Sequence, residues 1–330
     1  MPEWLHEAGI GEERAILVEG ATILAARIDW GEPLRPGHVA MARITRRIAG
    51  TRRGFARFSD GTETQVDSLP PEATEGREIR LRVTRAAIAE KGRTKLPQAR
   101  PAGPDEAERP APTLLEALRG EGHPVRALRV TDRDFDRAGW HELVEEAFSG
   151  EVAFAGGSLA ISPTPAMTLI DIDGPPPLPA LCLAAVPAIA AALPRLDIGG
   201  SIGIDFPTLP EKKDRQAVDT ALADALGAWK AERTAMNGYG FVQLVARLER
   251  PSLPARFARD PLGAAARILL RQAERVAEPG VLHLAAHPAV LRAITPAWEV
   301  ELVRRTGRQV VRDERPALAL AAGFAQALAS

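Results

Sequence analysis

The stretch "MTLIDIDG" (residues 167–174) closes an apolar run with two aspartates two positions apart, and "GSIGIDF" (200–206) closes a second run with one more. Carboxylates at strand ends hold hard cations or move protons, so Asp171, Asp173 and Asp205 are the candidate chemistry-bearing group. Strand alternation sets Asp171 and Asp173 on the face opposite Ile170 and Ile172, and Asp205 opposite Ile204 and Phe206. Two carboxylates about 4 Å apart repel by roughly 4 kcal/mol at an effective dielectric near 20, which either a retained proton or a cation between them relieves. With no Cys or His close by, an oxygen-only ligand set favours Mg²⁺ or Mn²⁺. The same spacing has a structural reading too, in which Asp171 caps the turn at Gly174 and Asp205 stops its strand before Pro207.

The elements that must position these residues are legible in the pattern. Between the motifs, "PALCLAAVPAIAAALPRL" reads as a helix that Pro187 kinks near its middle. A strand, a helix of crossover length and another strand make a βαβ unit with parallel, neighbouring strands. Both aspartate motifs then end at one sheet edge, where open α/β sheets bind ligands, and the three carboxylates are expected to converge there. "SLAISP" is a further strand. Upstream, "AILVEGATILAARIDW" (15–30) reads as two strands joined at Glu19 and Gly20. "HVAMARITRRI", "RRGFARFSD", "TETQVDSL" and "REIRLRVTRAAI" are strand-like runs that suggest a small barrel of the oligonucleotide-binding type. A proline-rich linker follows. Beyond it "TLLEALRGEG" is helical, "PVRALRV" a strand and "GWHELVEEAF" a helix with Leu143, Val144 and Phe148 on one face. In "GVLHLAAHPAVLRAI" a strand runs into a helix, so His283 and His287 need not share a face and no metal site is expected there. "PALALAAGFAQALAS" is expected to be a final helix or a strand and helix.

Composition narrows the class. The chain has 330 residues, 45% of them apolar, and a net charge of −1, which suits a soluble globular protein of two or three domains. The lone Cys182 excludes a disulfide framework and a thiolate zinc site, and fits a reducing compartment as a buried, inert thiol. The N-terminus carries acids and no long apolar stretch, and the longest apolar run is interrupted by prolines. Neither a signal peptide nor a membrane span is expected, and the cytoplasm is the expected location. Net charge conceals an asymmetry: residues 37–100 hold fourteen Lys and Arg against seven Asp and Glu. Six arginines fall between Arg43 and Arg57 with no acid among them, Arg43, Arg46, Arg52 and Arg53 included. Such a module is an electrostatic footprint for phosphates.

"FSGEVAFAGGSLAISPTPAMTLIDID" followed by "RLDIGGSIGIDF" resembles the catalytic core of the ribonuclease E/G family, whose "IDIN" and "IDF" motifs supply Mg²⁺-binding aspartates. "GEERAILVEGATILAARI" is similar to that family's N-terminal strands, "GHVAMARITRRIAGTRRGFARF" with "VTRAAIAEKGRTKL" to its embedded S1 domain, and "NGYGFVQLVARLERPSL" to the helix closing the nuclease subdomain. The resemblance implies a mixed α/β fold. Residues 1–36 and 113–150 would form a ribonuclease H-like subdomain, 37–100 an inserted S1-type barrel, and 101–112 a linker in place of the family's sensor for a 5′ monophosphate. Residues 151–255 would form a deoxyribonuclease I-like catalytic subdomain and 256–330 a small C-terminal domain. The implied activity is Mg²⁺-dependent hydrolysis of phosphodiester bonds in single-stranded RNA, with Asp171 and Asp205 holding metal and Asp173 assisting; a catalytically degenerate RNA-binding relative is the alternative. Phe55 and Lys91 map onto S1 positions that stack on or contact RNA, and Lys212, Lys213 and Arg215 are candidate phosphate contacts. Asp173 stands where the family motif has asparagine, and Ala221 and Ala223 where its helix carries arginines. The cysteine pair of the family's zinc link is absent, so no zinc is expected and any oligomer would form by other surfaces.

Overall fold

A computed structural model describes residues 1–90, 93–227 and 229–328. The chain forms two compact units, each assembled from separated stretches: Met1–Gly31, Glu121–Ser149 and Leu253–Ser330 in one, Glu32–Gly120 and Gly150–Ser252 in the other. It is a mixed α/β protein with several sheets and one closed barrel.

The second unit holds both regions of interest. Strands Val39–Arg47, Gly54–Phe58, Glu63–Val66, Glu78–Arg85 and Gln98–Pro101 close into a barrel. Alternate residues, among them Ala42, Ile44, Ala56, Phe58, Val66, Leu81 and Val83, fill its core, while the intervening arginines of the Val39–Arg47 and Gly54–Phe58 strands are turned outward. The barrel predicted from the strand-like runs is therefore present. Its last strand runs one residue into the proline-rich segment, which is laid along the barrel: Arg109 and Val39 exchange two backbone hydrogen bonds of 2.9 Å, and Glu106 accepts from Arg82 at 2.6 Å.

The aspartates sit on a six-stranded sheet, ordered Glu151–Phe154, Gly157–Pro163, Thr168–Asp173, Gly200–Asp205, Phe241–Ala246, Ala231–Arg233. Thr168–Asp173 and Gly200–Asp205 are parallel neighbours, joined by the helix Leu178–Arg195, so the predicted βαβ unit is present. That helix is long and apolar enough to cross a membrane by length and composition, but here it is the crossover, burying Leu181, Cys182, Ala185, Val186, Ile189, Ala192 and Leu193. The spacing of three and four keeps them on one stripe. It packs on strands Glu151–Phe154 and Gly157–Pro163 and on helix Lys212–Leu226. Ile170, Ile172, Ile202 and Ile204 are buried at 4% exposure or less, each stabilising the fold by about 1.5–3 kcal/mol relative to an exposed side chain.

One expectation fails here. Within "NGYGFVQLVARLERPSL" the residues Phe241–Ala246 are not a helix but an inner strand, paired with Gly200–Asp205 on one side and Ala231–Arg233 on the other. Burial of Val242 and Leu244 with Gln243 and Val245 turned away has period two, the strand period. A helix begins only at Leu253. The Glu151–Phe154 strand, four residues at the sheet edge, was not anticipated either.

In the first unit, Glu3–Gly9, Glu12–Glu19 and Thr22–Asp29 form an antiparallel meander, with Val125–Ala127 added parallel beside the first. The turn falls between Glu19 and Thr22, as read from the sequence. A second sheet is ordered Val310–Glu314, Val281–Ala286, Phe324–Leu328, with helix Pro261–Glu274 packed on it. The terminal segment expected to end in a helix is instead a short 3₁₀ turn and the strand Phe324–Leu328, which satisfies its backbone by antiparallel pairing with Val281–Ala286. His287 caps helix Pro288–Ala293, its Nδ1 accepting from the Ala289 amide, while His283 lies within the strand.

Candidate catalytic edge and nucleic-acid interface

Asp171 and Asp205 are register partners on adjacent parallel strands. Neighbouring strands lie about 4.8 Å apart and register partners project to the same face, so the two carboxylates are adjacent. Both are exposed, on the face opposite the packed helices. Asp171 Oδ1 accepts from the Ile172 amide at 3.0 Å. Asp173 follows on the same face, opposite Ser158 and beyond the last residue of the Asp205 strand. Among the described residues, no three His, Cys, Asp or Glu side chains gather to hold an ion. The three-carboxylate convergence expected from the sequence is thus a pair with Asp173 one step further along, because its strand outruns its neighbour. None of the three has an ion-pair partner among the described residues. Two adjacent, water-exposed carboxylates without a cation of their own fit a hydrated Mg²⁺, which takes one or two carboxylates and keeps several waters.

The ground beside this pair is apolar. Phe241 is the register partner of Asp205 on its other side. A Cβ added at Gly203 would lie 2.6 Å from Phe241 Cζ and 2.9 Å from Met167 Sδ. The ring and the thioether therefore cover the strand where Gly203 leaves room. The turn preceding Phe241 is tightly held. Asn237 Oδ1 accepts from the Tyr239 amide at 2.9 Å and the Phe241 amide at 3.1 Å, and Gly240, at φ +94°, could not take a Cβ without meeting Phe206 O at 2.4 Å. Phe206 N donates to Gly240 O, and Thr208 Oγ1 donates to Tyr239 O at 3.3 Å. Tyr239, at the tip, is 81% exposed. The sequence reading did not single it out; the signal available was the Asn-x-x-Gly spacing of a turn just before a strand.

The candidate cations near this sheet differ in availability. Lys212 and Lys213 open helix Lys212–Leu226 and are exposed. Arg215 instead folds back, donating to Leu209 O at 2.5 Å and Pro210 O at 2.8 Å, which ties down the loop leaving Asp205. Asp219 on the same helix accepts from Arg233 at 2.7 Å and from the Met236 amide at 2.9 Å. Hydrogen bonding to Arg233 holds the Asp219 carboxyl below its ordinary range.

On the barrel, Phe55 is outside the core that Phe58 occupies. It is half-buried, with the Arg46 guanidinium 4.4 Å above its ring centroid, and the two residues are register partners. Arg43 is exposed and lies 3.6 Å from Glu78. Arg52 donates to Leu69 O at 3.3 Å, and Arg53 pairs with Asp67 at 3.0 Å. Arg47, not singled out from the sequence, donates to the carbonyls of Pro70, Pro71 and Ala73 and so braces the 70–73 turn. Lys91 lies outside the described residues. Within this unit, Ala86 N donates to Glu249 O at 2.9 Å and Lys95 Nζ to Pro165 O at 3.1 Å, joining the barrel to the chain around the aspartate sheet.

An exposed carboxylate pair on adjacent parallel strands lies in one compact unit with an arginine-studded barrel, within a mixed α/β protein. Residues 116–246, which include both aspartate strands, match the model of the ribonuclease E/G family. The matched segment is that of a ribonuclease family. No curated protein matches the chain.

Proposed function

We propose that the protein is a Mg²⁺-dependent endoribonuclease that hydrolyses phosphodiester bonds in single-stranded RNA. The observation carrying this reading is the register pairing of Asp171 and Asp205 on the open face, with no ion-pair partner for either among the described residues. Asp171 and Asp205 would hold the metal, which when bound activates water and neutralises charge developing on the phosphate. The Ile172 amide fixes the Asp171 carboxylate, and Asp173, two residues on along the same strand face, would assist. Phe55, Arg46 and Arg43 present an aromatic and cationic surface suited to a single strand, with stacking supplying sequence-tolerant affinity. The cytoplasm, and any dimer formed without zinc, belong to the same proposal.

The test is cleavage of a labelled single-stranded RNA in Mg²⁺ or Mn²⁺, with EDTA and Asp171→Ala as controls. Asp205→Asn is expected to abolish cleavage while leaving RNA affinity nearly unchanged; equal rates for wild type and variant would sink the reading. A second reading, an RNA-binding relative without activity, draws on two observations: the carboxylate of Asp173 replaces the amide of the family motif, and Arg215 is spent on backbone carbonyls. Metal-independent binding without cutting would establish it.

A further inference from the structure

We infer that Tyr239 is a base-stacking residue of the aspartate edge, holding the nucleobase of a nucleotide next to the phosphate presented to Asp171 and Asp205. The inference rests on the RNA-directed reading above. Tyr239 is the single tyrosine of the chain, and it is 81% exposed. Among the described residues it has no ring contact with another aromatic or with an arginine. An isolated exposed aromatic is ordinary, but this one is not on a loose loop. Its backbone is fixed at four points: its own amide and that of Phe241 by Asn237, its carbonyl by Thr208, and Gly240 by Phe206. Two of those anchors, Phe206 and Thr208, lie one and three residues after Asp205 in the chain. The turn is thus held in fixed relation to the carboxylate pair, which keeps the entropic cost of using the ring low.

Charge gives a second reason. Among the described residues the three carboxylates of the edge have no ion-pair partner, and Arg215, beside it in sequence, is engaged with backbone carbonyls. Of the cations that follow Asp205, Lys212 and Lys213 are exposed while Arg215 is engaged, so an uncharged contact adds affinity that like-charged carboxylates do not oppose. A π-face accepts any base and needs no countercharge. Phe241, laid over Gly203 beside Asp205, extends the same apolar ground.

The experiment compares RNA affinity of full-length wild type, Tyr239→Ala and Tyr239→Phe across a salt series, in Ca²⁺ to suppress turnover. Loss of one base stack predicts affinity weakened about 5- to 100-fold in Tyr239→Ala, Tyr239→Phe close to wild type, and an unchanged slope of log affinity against log salt. Matching melting temperatures check that the exposed substitution leaves the fold intact. Irradiation with 5-iodouridine RNA is expected to place an adduct on Tyr239 alongside one on Phe55. An adduct on Phe55 with none on Tyr239, a Tyr239→Ala protein that binds like wild type, or Tyr239→Phe as weak as Tyr239→Ala would each overturn the inference. Stacking at Tyr239 in a protein that never cleaves would uphold it while sinking the nuclease reading; no RNA binding by wild type would overturn both.

Discussion

Asp171 and Asp205 owe their adjacency to register, and register is fixed by the buried face. Ile170 pairs with Ile204 beneath the helices, and a slip of one residue would turn the isoleucines to water and the aspartates into the core. That is why both aspartates could be read from the sequence: alternation names the face and the βαβ rule names the edge. Asp173 could not be read as fully, because whether a third carboxylate converges depends on where the neighbouring strand stops, which spacing within one strand does not encode. Cys182, by contrast, behaves as its apolar surroundings suggested. It is fully buried, and burial pushes its thiol up to about 11. The thiolate, which is the reactive form, is then scarce at ordinary pH. Iodoacetamide at pH 8 is expected to leave Cys182 unmodified in the native protein and to label it fully in denaturant; mass spectrometry of the intact chain reads the difference, and rapid native labelling would place the residue elsewhere.

At the scale of elements, Thr168–Asp173 was legible by its period of two and Leu178–Arg195 by an apolar run too long for a strand. The Phe241–Ala246 strand was missed because its outward positions include Val245, which is exposed, so the polar half of the alternation is blurred. Tertiary pairing on both sides decides it. The segment leading into that strand is held by Asp219 through Arg233 and the Met236 amide. Since the folded carboxyl titrates below its ordinary value, this contribution is fully present above the ordinary carboxylate range and is lost as pH falls through the lowered folded value. Between pH 5 and 8 the clamp is therefore constant, and Asp219→Ala imitates acid. Hydrogen exchange at the Met236 amide is expected to quicken several-fold in that variant at pH 7 and to be pH-insensitive, beyond the intrinsic chemical rate, in wild type. Unchanged protection in Asp219→Ala would show the amide to be held by something else.

For the molecule as a whole, the decisive quantity is where positive charge is free. The sequence located a basic module of the right length, but it could not separate arginines that face water from arginines that build the barrel, because both kinds lie in one run with no acid among them. The structure separates them: Arg47 is consumed by three backbone carbonyls of its own unit, whereas Arg43 is exposed on the barrel's outer surface, in a solvent-screened pair with the likewise exposed Glu78, and Arg46 covers Phe55. Each phosphate contact on a single strand contributes about 0.7 to the slope of log affinity against log salt through counterion release. Replacing Arg43 and Arg46 together by glutamine should then flatten that slope by about 1.4 and weaken binding most at low salt. Arg47→Gln should leave the slope as it is and lower the melting temperature instead, since the 70–73 turn loses its brace. Filter binding between 50 and 300 mM salt, beside a thermal melt of each variant, separates the two outcomes. A slope that flattens equally in both would mean that Arg47 releases its carbonyls to meet RNA, and a slope untouched in the double variant would move the RNA path off this face of the barrel.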